Sequence, residues 1–403
     1  MQLAAGRDEG QSYQIGSFAF LAVLAFGIRI LAGLLLPEII VYDDEIGYHR
    51  DAVQIAGSFE FGTTNTFAAF GWHTIIGGLY YLIAPDPFVI KILNSILGVA
   101  SAFLLAGAVN RIYGNENIAL AALYAGLFLP PLIFLSATIL KEQAAAFGLS
   151  LFVYGVSRRD MRGVIWAVAA MALMIWMRKS YVFVMALAVV GGGLFAAMMG
   201  SRLSVPMRVL LIAALLTVST FAAAVFQRTD FYGNTKVGRV LSGVDDRGYT
   251  TLSRNDMIVL QYLDRDNILN PRNFIVPPMR ALYTPSPIRG LKSTSANTII
   301  VEGIVRSLFW YIAVPFAVIA MFRSASFAHY MFVAVAVGVF LAAAYTVLTG
   351  FPETERYRWP MMPLLFVLAT VGFYTQIGSR RRLILWGWWV SAIGFNAYYL
   401  TLI

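Results

Sequence analysis

"FAAFGWHTIIGGLYYLIA", Phe67 to Ala84, is the stretch on which the threading of this chain turns. It is apolar but short of the roughly 20 residues that an α-helix needs to cross a bilayer. It holds three glycines, Trp72 and His73. Apolar runs nearer the crossing length lie at 15–36, 88–110, 117–137, 142–157, 163–178, 181–199, 208–226, 301–322, 327–349, 358–377 and 383–402. If 67–84 stays on one side, Arg111, "SRRDMR" (157–162), "GSRLSVPMR" (200–208), "FRSASFAH" (322–329) and "GSRRRL" (378–383) all fall on the side of the N-terminus. Short basic loops collect in the cytoplasm. If 67–84 crossed, the loops after it would flip and the arginine-rich ones would face out. The reading is therefore an all-α membrane protein of about eleven transmembrane helices, with 67–84 as a re-entrant or interfacial helix on the outer face.

Composition points the same way. The 403 residues are 59% hydrophobic and 13% charged, with a mean hydropathy of +0.71, whereas soluble domains are about a quarter charged. The net charge of +9 is explained by cytoplasmic loops, so no nucleic-acid partner is expected. The absence of cysteine excludes disulfides, thiolate chemistry and cysteine-ligated zinc. The first apolar run is too long for a signal-peptide core, and an uncleaved first helix is expected. The chain divides into an N-terminal transmembrane module, 1–226, with a first outer loop at 37–87; a polar loop, 227–300; and a C-terminal transmembrane module, 301–403. The polar loop carries ten Lys/Arg against six Asp. Its segment "NPRNFIVPPMRALYTPSPIRG" (270–290) is proline-rich, which favours extended or turning chain. Seventy-odd residues are long for a passive connector, so a lid over an outward cavity is expected.

The densest ionisable cluster, "VYDDEIGYHRD" (41–51), follows the first span directly. Three adjacent carboxylates, Asp43, Asp44 and Glu45, cannot all be cheaply ionised in a partly desolvated site. One takes a proton or a cation is recruited, giving a proton acceptor or a metal ligand. On a helix, Asp44, Tyr48 and Asp51 share a face, and His49 follows Tyr48. The same outer side receives His73, the turn with Lys141 and Glu142, the turn with Arg178 and Lys179, and "PETERYRWP" with Glu355, Arg356, Tyr357 and Arg358. Cations placed against the topology rule suit anion binding, and arginine suits bidentate phosphate contacts. The plainer alternatives are a solvated helix end for the acids, snorkelling to lipid phosphates for Arg178 and Lys179, and a hydrogen-bonded structural role for His73. No required cofactor is written in the pattern. A divalent cation, Mg²⁺ or Mn²⁺, is the inorganic partner the acids could recruit, with Asp43, Asp44 and His49 as candidate ligands, although their spacing matches no strong metal motif. Acids at one exit and cations at others suit a substrate with an anionic head and a lipid tail.

The run "DEIGY" after the first span resembles the acidic DExxY-like motif of the GT-C superfamily of polytopic glycosyltransferases. That superfamily includes protein O-mannosyltransferases and aminoarabinose transferases. "ERYRWPMMPLL" looks like a late-helix pattern of bacterial members, and "SATILKEQAAAFGLSLFVYG" is similar to a turn in membrane proteins of exopolysaccharide clusters. The resemblance implies a bacterial inner-membrane enzyme with its site facing the periplasm. It also implies a polyprenyl-phosphate-linked sugar donor, a glycan, lipid or protein acceptor, and an inverting single displacement. Asp44 would be the catalytic carboxylate and Asp43 or Glu45 its partner. A polymerase or ligase of lipid-linked polysaccharide, relying on outer-loop arginines, is the first rival. A lipid-substrate transporter or flippase is the second, and it would place charges in mid-membrane. Arg29 lies inside the first span, and Lys91 and Arg306 lie near span ends.

Overall fold

The computed structural model describes residues 5–36, 43–58, 70–158, 160–177, 270–283, 297–322, 326–345, 358–374 and 379–402, with short helical pieces between 181 and 190. The described residues are almost wholly helical, without strands: α1 (Ala5–Leu35), α2 (Asp43–Ser58), α3 (Phe70–Leu82), α4 (Pro87–Tyr113), α5 (Glu116–Phe128), α6 (Pro130–Ser136), α7 (Glu142–Arg158), α8 (Met161–Met177), α9 (Pro271–Tyr283), α10 (Asn297–Met321), α11 (Phe327–Tyr345), a 3-10 turn (Trp359–Met361), α12 (Met362–Phe373) and α13 (Ser379–Leu402). Three stretches among them are long and apolar enough to cross a membrane: Ser17–Leu35, Pro87–Tyr113 and Phe327–Tyr345. There are four if α5 and α6, bent by 51° at their junction, form one span. Met161–Ile175, Val305–Met321 and Trp359–Phe373 are shorter apolar helices. The expected count of eleven exceeds what these helices carry, and the expected spans at 181–199 and 208–226 fall largely or wholly outside the described residues. At 13 residues and about 1.5 Å per residue, α3 is too short to cross alone.

Local sequence explains the breaks. Asp86 caps α4 by accepting from the Phe88 amide at 2.8 Å, and Pro87 takes the first helical position, where its missing N–H costs nothing. Gly114, at φ 60°, ends α4 with its N–H on the Asn110 carbonyl, and Asn115 at once caps α5 through the Ile118 amide. Pro130 and Pro131 then stop α5. Neither has an N–H to give to the carbonyls four residues earlier, Gly126 and Leu127. Arg29 of α1, fully buried, supplies both bonds: its guanidinium donates to the Gly126 carbonyl at 2.9 Å and the Leu127 carbonyl at 2.6 Å. Its Nε reaches Ser136 at 3.2 Å. Lys91 works similarly at the end of α1, donating to the carbonyls of Gly33 at 3.0 Å and Leu36 at 3.3 Å, where a cation also suits the helix dipole.

The halves share one apolar core, in which α11 packs on α7, α12 on α5, and α10 on α12. Pro315 inside α10 frees the carbonyl of Tyr311, and the Trp388 indole of α13 donates to it at 3.0 Å. Where α12 crosses α10, Gly372 lies against the Phe316 backbone, and a Cβ there would have no room. At one end of the bundle, Tyr154 of α7 lies between the guanidinium groups of Arg111 and Arg158, and Tyr113 meets His329. Three of the basic loops that the sequence assigns to one side are thus gathered at one end.

The proline-rich stretch corrects the sequence reading. Residues 271–283 are helix, not extended or turning chain, despite Pro277 and Pro278. The last turn of α9 is held from outside. The carbonyls of Ala281, Leu282 and Tyr283 accept from Arg358, the Trp310 indole (2.9 Å) and the Tyr311 hydroxyl (2.5 Å), respectively. Tyr283 also stacks between Trp388 and Phe395. Tertiary donors thus override a local preference worth a few kcal/mol. The rest of the expected lid, 227–300, lies outside the described residues except for Asn270 and the start of α10.

Candidate functional site

The end of the bundle opposite Tyr113 and His329 is organised around a non-helical turn. Between α6 and α7, residues 137–141 leave the helical ladder, so their backbone groups need partners in apolar surroundings. Glu45 of α2 accepts the Ile139 amide at 2.8 Å. Trp72 of α3 donates its indole to the Ile139 carbonyl at 2.9 Å. Asn94 of α4 donates to the carbonyls of Thr138 at 2.7 Å and Leu140 at 3.2 Å. One turn thereby fixes three helices. Between α2 and α3 the approach is close: a Cβ on Gly77 would lie 2.6 Å from Ile55.

Beside this turn stands a row of side chains with acid–base and charge capacity. The Lys141 ammonium sits 5.8 Å from the Tyr48 ring centroid. Tyr48 meets His73 edge to face at 5.0 Å. His73 Nδ1 lies 3.2 Å from Asp51 Oδ2. His73 is buried, whereas 21% of the Asp51 side chain reaches the surface, so the pair leads from the interior to the edge. Nearby, His49 Nδ1 is 3.0 Å from the Tyr80 hydroxyl, and Arg50 projects outward beside Asp51. Asp43, Asp44 and Glu45 fall in the first turn of α2, where the helix dipole favours negative charge.

The residues singled out from sequence divide as follows. Glu45, Tyr48, His73 and Lys141 converge through the 137–141 turn, with His49 one residue on. Glu142 is buried at the start of α7. Arg358 is buried elsewhere, over the Trp310 ring at 4.4 Å, while Arg306 lies over Trp359 at 4.6 Å, two reciprocal cation–π contacts joining α10 to the 3-10 turn. The side chains of Asp43 and Asp44, and the residues Arg178, Lys179, Glu355, Arg356 and Tyr357, lie outside the described residues. Among the described residues no three of His, Asp and Glu are grouped to hold a metal ion.

Sequence reasoning missed Asn94, the clamp on the turn. Its signal was available: an amide in an apolar span must find partners. It also missed that Asp51 stands against His73. No known protein family and no curated protein matches this chain, so the functional reading rests on the chain's own residues.

Proposed function

We propose that this protein transfers a sugar from a polyprenyl-phosphate-linked donor to a hydroxyl acceptor (glycan, lipid or protein) at the α2–α3 end of the bundle. In this reading that end faces the periplasm of a bacterial inner membrane, and the eleven-span threading holds. The observation that carries it is the Glu45–Ile139 tether. It anchors the acidic first turn of α2 on the turn that carries Lys141, bringing carboxylates and a cation to one end of an apolar bundle. The bond between the acceptor oxygen and the anomeric carbon forms as the bond from that carbon to the phosphate oxygen breaks. Asp44 takes the hydroxyl proton, and the leaving phosphate keeps the electron pair. Glu45, whose carboxylate holds the Ile139 amide, acts as the tether, so the base falls to Asp44 or Asp43. Lys141, Arg178, Lys179 and Arg356 are the cations for the donor phosphate. The location of the buried cations also favours an enzyme over a transporter: Arg29 and Lys91 are committed to helix carbonyls, not to a cargo.

Asp44→Asn keeps the shape and removes the base. Turnover with a polyprenyl-phosphate sugar falls by about 10²–10⁴ while donor binding survives. Full activity in Asp44→Asn excludes it as base, and full activity also in Asp43→Asn favours the arginine-based polymerase or ligase. Replacing Arg178, Lys179 or Arg356 by Gln weakens donor binding by about tenfold, the equivalent of one charge-assisted bond. Unchanged affinity in all three removes them from the phosphate site.

A further inference from the structure

We infer that the end of the bundle where α4, α7 and α8 meet is a seat for anionic phospholipid, with Arg111 and Arg162 as the cations that hold its headgroup phosphates. This end lies opposite the α2–α3 site, and the seat does not depend on the transfer reading. Its first support is the division of charge. Arg158 is already committed: its Nε and Nη2 donate to the Asp160 carboxylate, at 2.8 Å for the closest contact. Arg111 and Arg162 are exposed. Among the described residues, neither has a carboxylate within ion-pair distance. Two positive charges therefore remain for a ligand, one on each of the helices that pack on either side of α7.

The second support is orientation. The Arg111 guanidinium lies over the Tyr154 ring, 5.4 Å from its centroid. That ring is fixed in turn. Its hydroxyl accepts from Arg158 at 3.3 Å, and a Cβ on Gly107 would lie 3.1 Å from its edge. A guanidinium stacked on a fixed ring keeps its N–H edge for a partner, and a phosphate takes such an edge through two parallel bonds. The third is the surface below the charge. Ile165 and Trp166 follow Arg162 by three and four residues, so they share its face of α8, and they are 60% and 43% exposed. A cation above an apolar track matches a headgroup above its acyl chains, and an exposed indole one turn further in suits the interface. The track is held in place, because α8 packs so closely on α7 that a Cβ on Gly155 would lie 2.7 Å from the Gly163 carbonyl. A soluble phosphate would use the arginines and leave the track bare. A zwitterionic lipid would bring a cation of its own to them. An anionic phospholipid satisfies both parts.

The chain has no cysteine, so Ile165→Cys in the full-length protein carries a single fluorophore on the track. In nanodiscs of phosphatidylcholine, brominated phosphatidylglycerol is expected to quench it at a lower mole fraction than brominated phosphatidylcholine does. Arg111→Gln and Arg162→Gln are each expected to weaken that preference by about fivefold. Both side chains are exposed, so the fold is expected to survive, with an unchanged melting midpoint. Arg158→Gln with Asp160→Asn removes the internal pair at constant net charge and keeps an acceptor for the Gly163 amide. It is expected to leave the preference in place. Equal quenching by the two lipids overturns the seat, as does a preference unmoved when Arg111 and Arg162 are replaced together. A loss in the Arg158–Asp160 variant as large as that in Arg111→Gln overturns the division of charge on which the seat rests. Relief of the phosphatidylglycerol quenching by inorganic phosphate makes soluble phosphate the ligand and overturns the lipid.

Discussion

The prolines at Pro130–Pro131 and at Pro315 each break a helical ladder in this bundle, and the two breaks are mended differently. At Pro130–Pro131 two consecutive carbonyls lose their partners, the chain bends by 51°, and a buried guanidinium from α1 supplies both missing donors. At Pro315 one carbonyl is freed, α10 runs on from Asn297 to Met321, and one neutral indole N–H fills the gap. The contrast teaches that the donor is matched to the number of vacancies. A planar fork serves two carbonyls, and a single N–H serves one. It also shows why a charge sits inside the first span without implying a transport path.

The contrast can be broken most severely at Arg29. Arg29→Met leaves both carbonyls unmet, and unfolding in bicelles is expected to become easier by about 2–6 kcal/mol, one unsatisfied-group penalty for each. Adding Pro130→Ala and Pro131→Ala restores two N–H groups and is expected to recover much of that loss while reducing the bend. No recovery would mean that Arg29 acts through Ser136 and not through the carbonyls. Trp388→Phe removes the single donor at Pro315 and is expected to cost about 1–3 kcal/mol in the same measurement. A loss equal to that of Arg29→Met would erase the distinction between two vacancies and one.

The smallest effect sharpens the comparison with an ordinary helix start. Asp160 caps α8 through the Gly163 amide at 2.7 Å. The Arg158 guanidinium beside it, with that amide, holds its carboxyl down at about 2. A lowered carboxyl contributes stability that is full above its unfolded value and is lost as pH falls through the folded one. The cap is therefore expected to persist until pH approaches about 2. Asp160→Ala is expected to lower the thermal midpoint least of the three regions, and to abolish this acid dependence.

Much of the bundle was legible because a membrane helix must satisfy its own backbone and cover itself with apolar side chains. The expected span 88–110 is α4, long and apolar enough to cross a membrane, whereas 142–157 and 163–178 coincide within a few residues with α7 and α8, which at 17 residues each fall short of a full crossing. The bend inside 117–137 was in principle legible from its two prolines. The helix at 271–283 was not, because its support comes from Arg358, Trp310 and Tyr311, distant in sequence. The placement of the candidate residues was half legible. Clustered ionisable residues after the first span pointed to α2, and helical spacing put Tyr48 and Asp51 on one face. The division of labour was hidden, because Glu45 differs from its neighbours only through the Ile139 amide, 94 residues away.

Arg29 carries a consequence for how the protein is made. Its carbonyl acceptors lie 97 and 98 residues further along the chain, so the ribosome delivers the first helix well before the partners of its charge. At roughly 5–20 residues per second the interval is about 5–20 s. During it a lone arginine in a spanning helix costs about 2.5–3.5 kcal/mol on insertion scales. The apolar residues of Ser17–Leu35 offset that cost, and the guanidinium gains its carbonyl partners only once α5 and α6 have been made. The order of synthesis thus sets the order of satisfaction: the charge of the first helix is made first, and the carbonyls that receive it come 97 and 98 residues later.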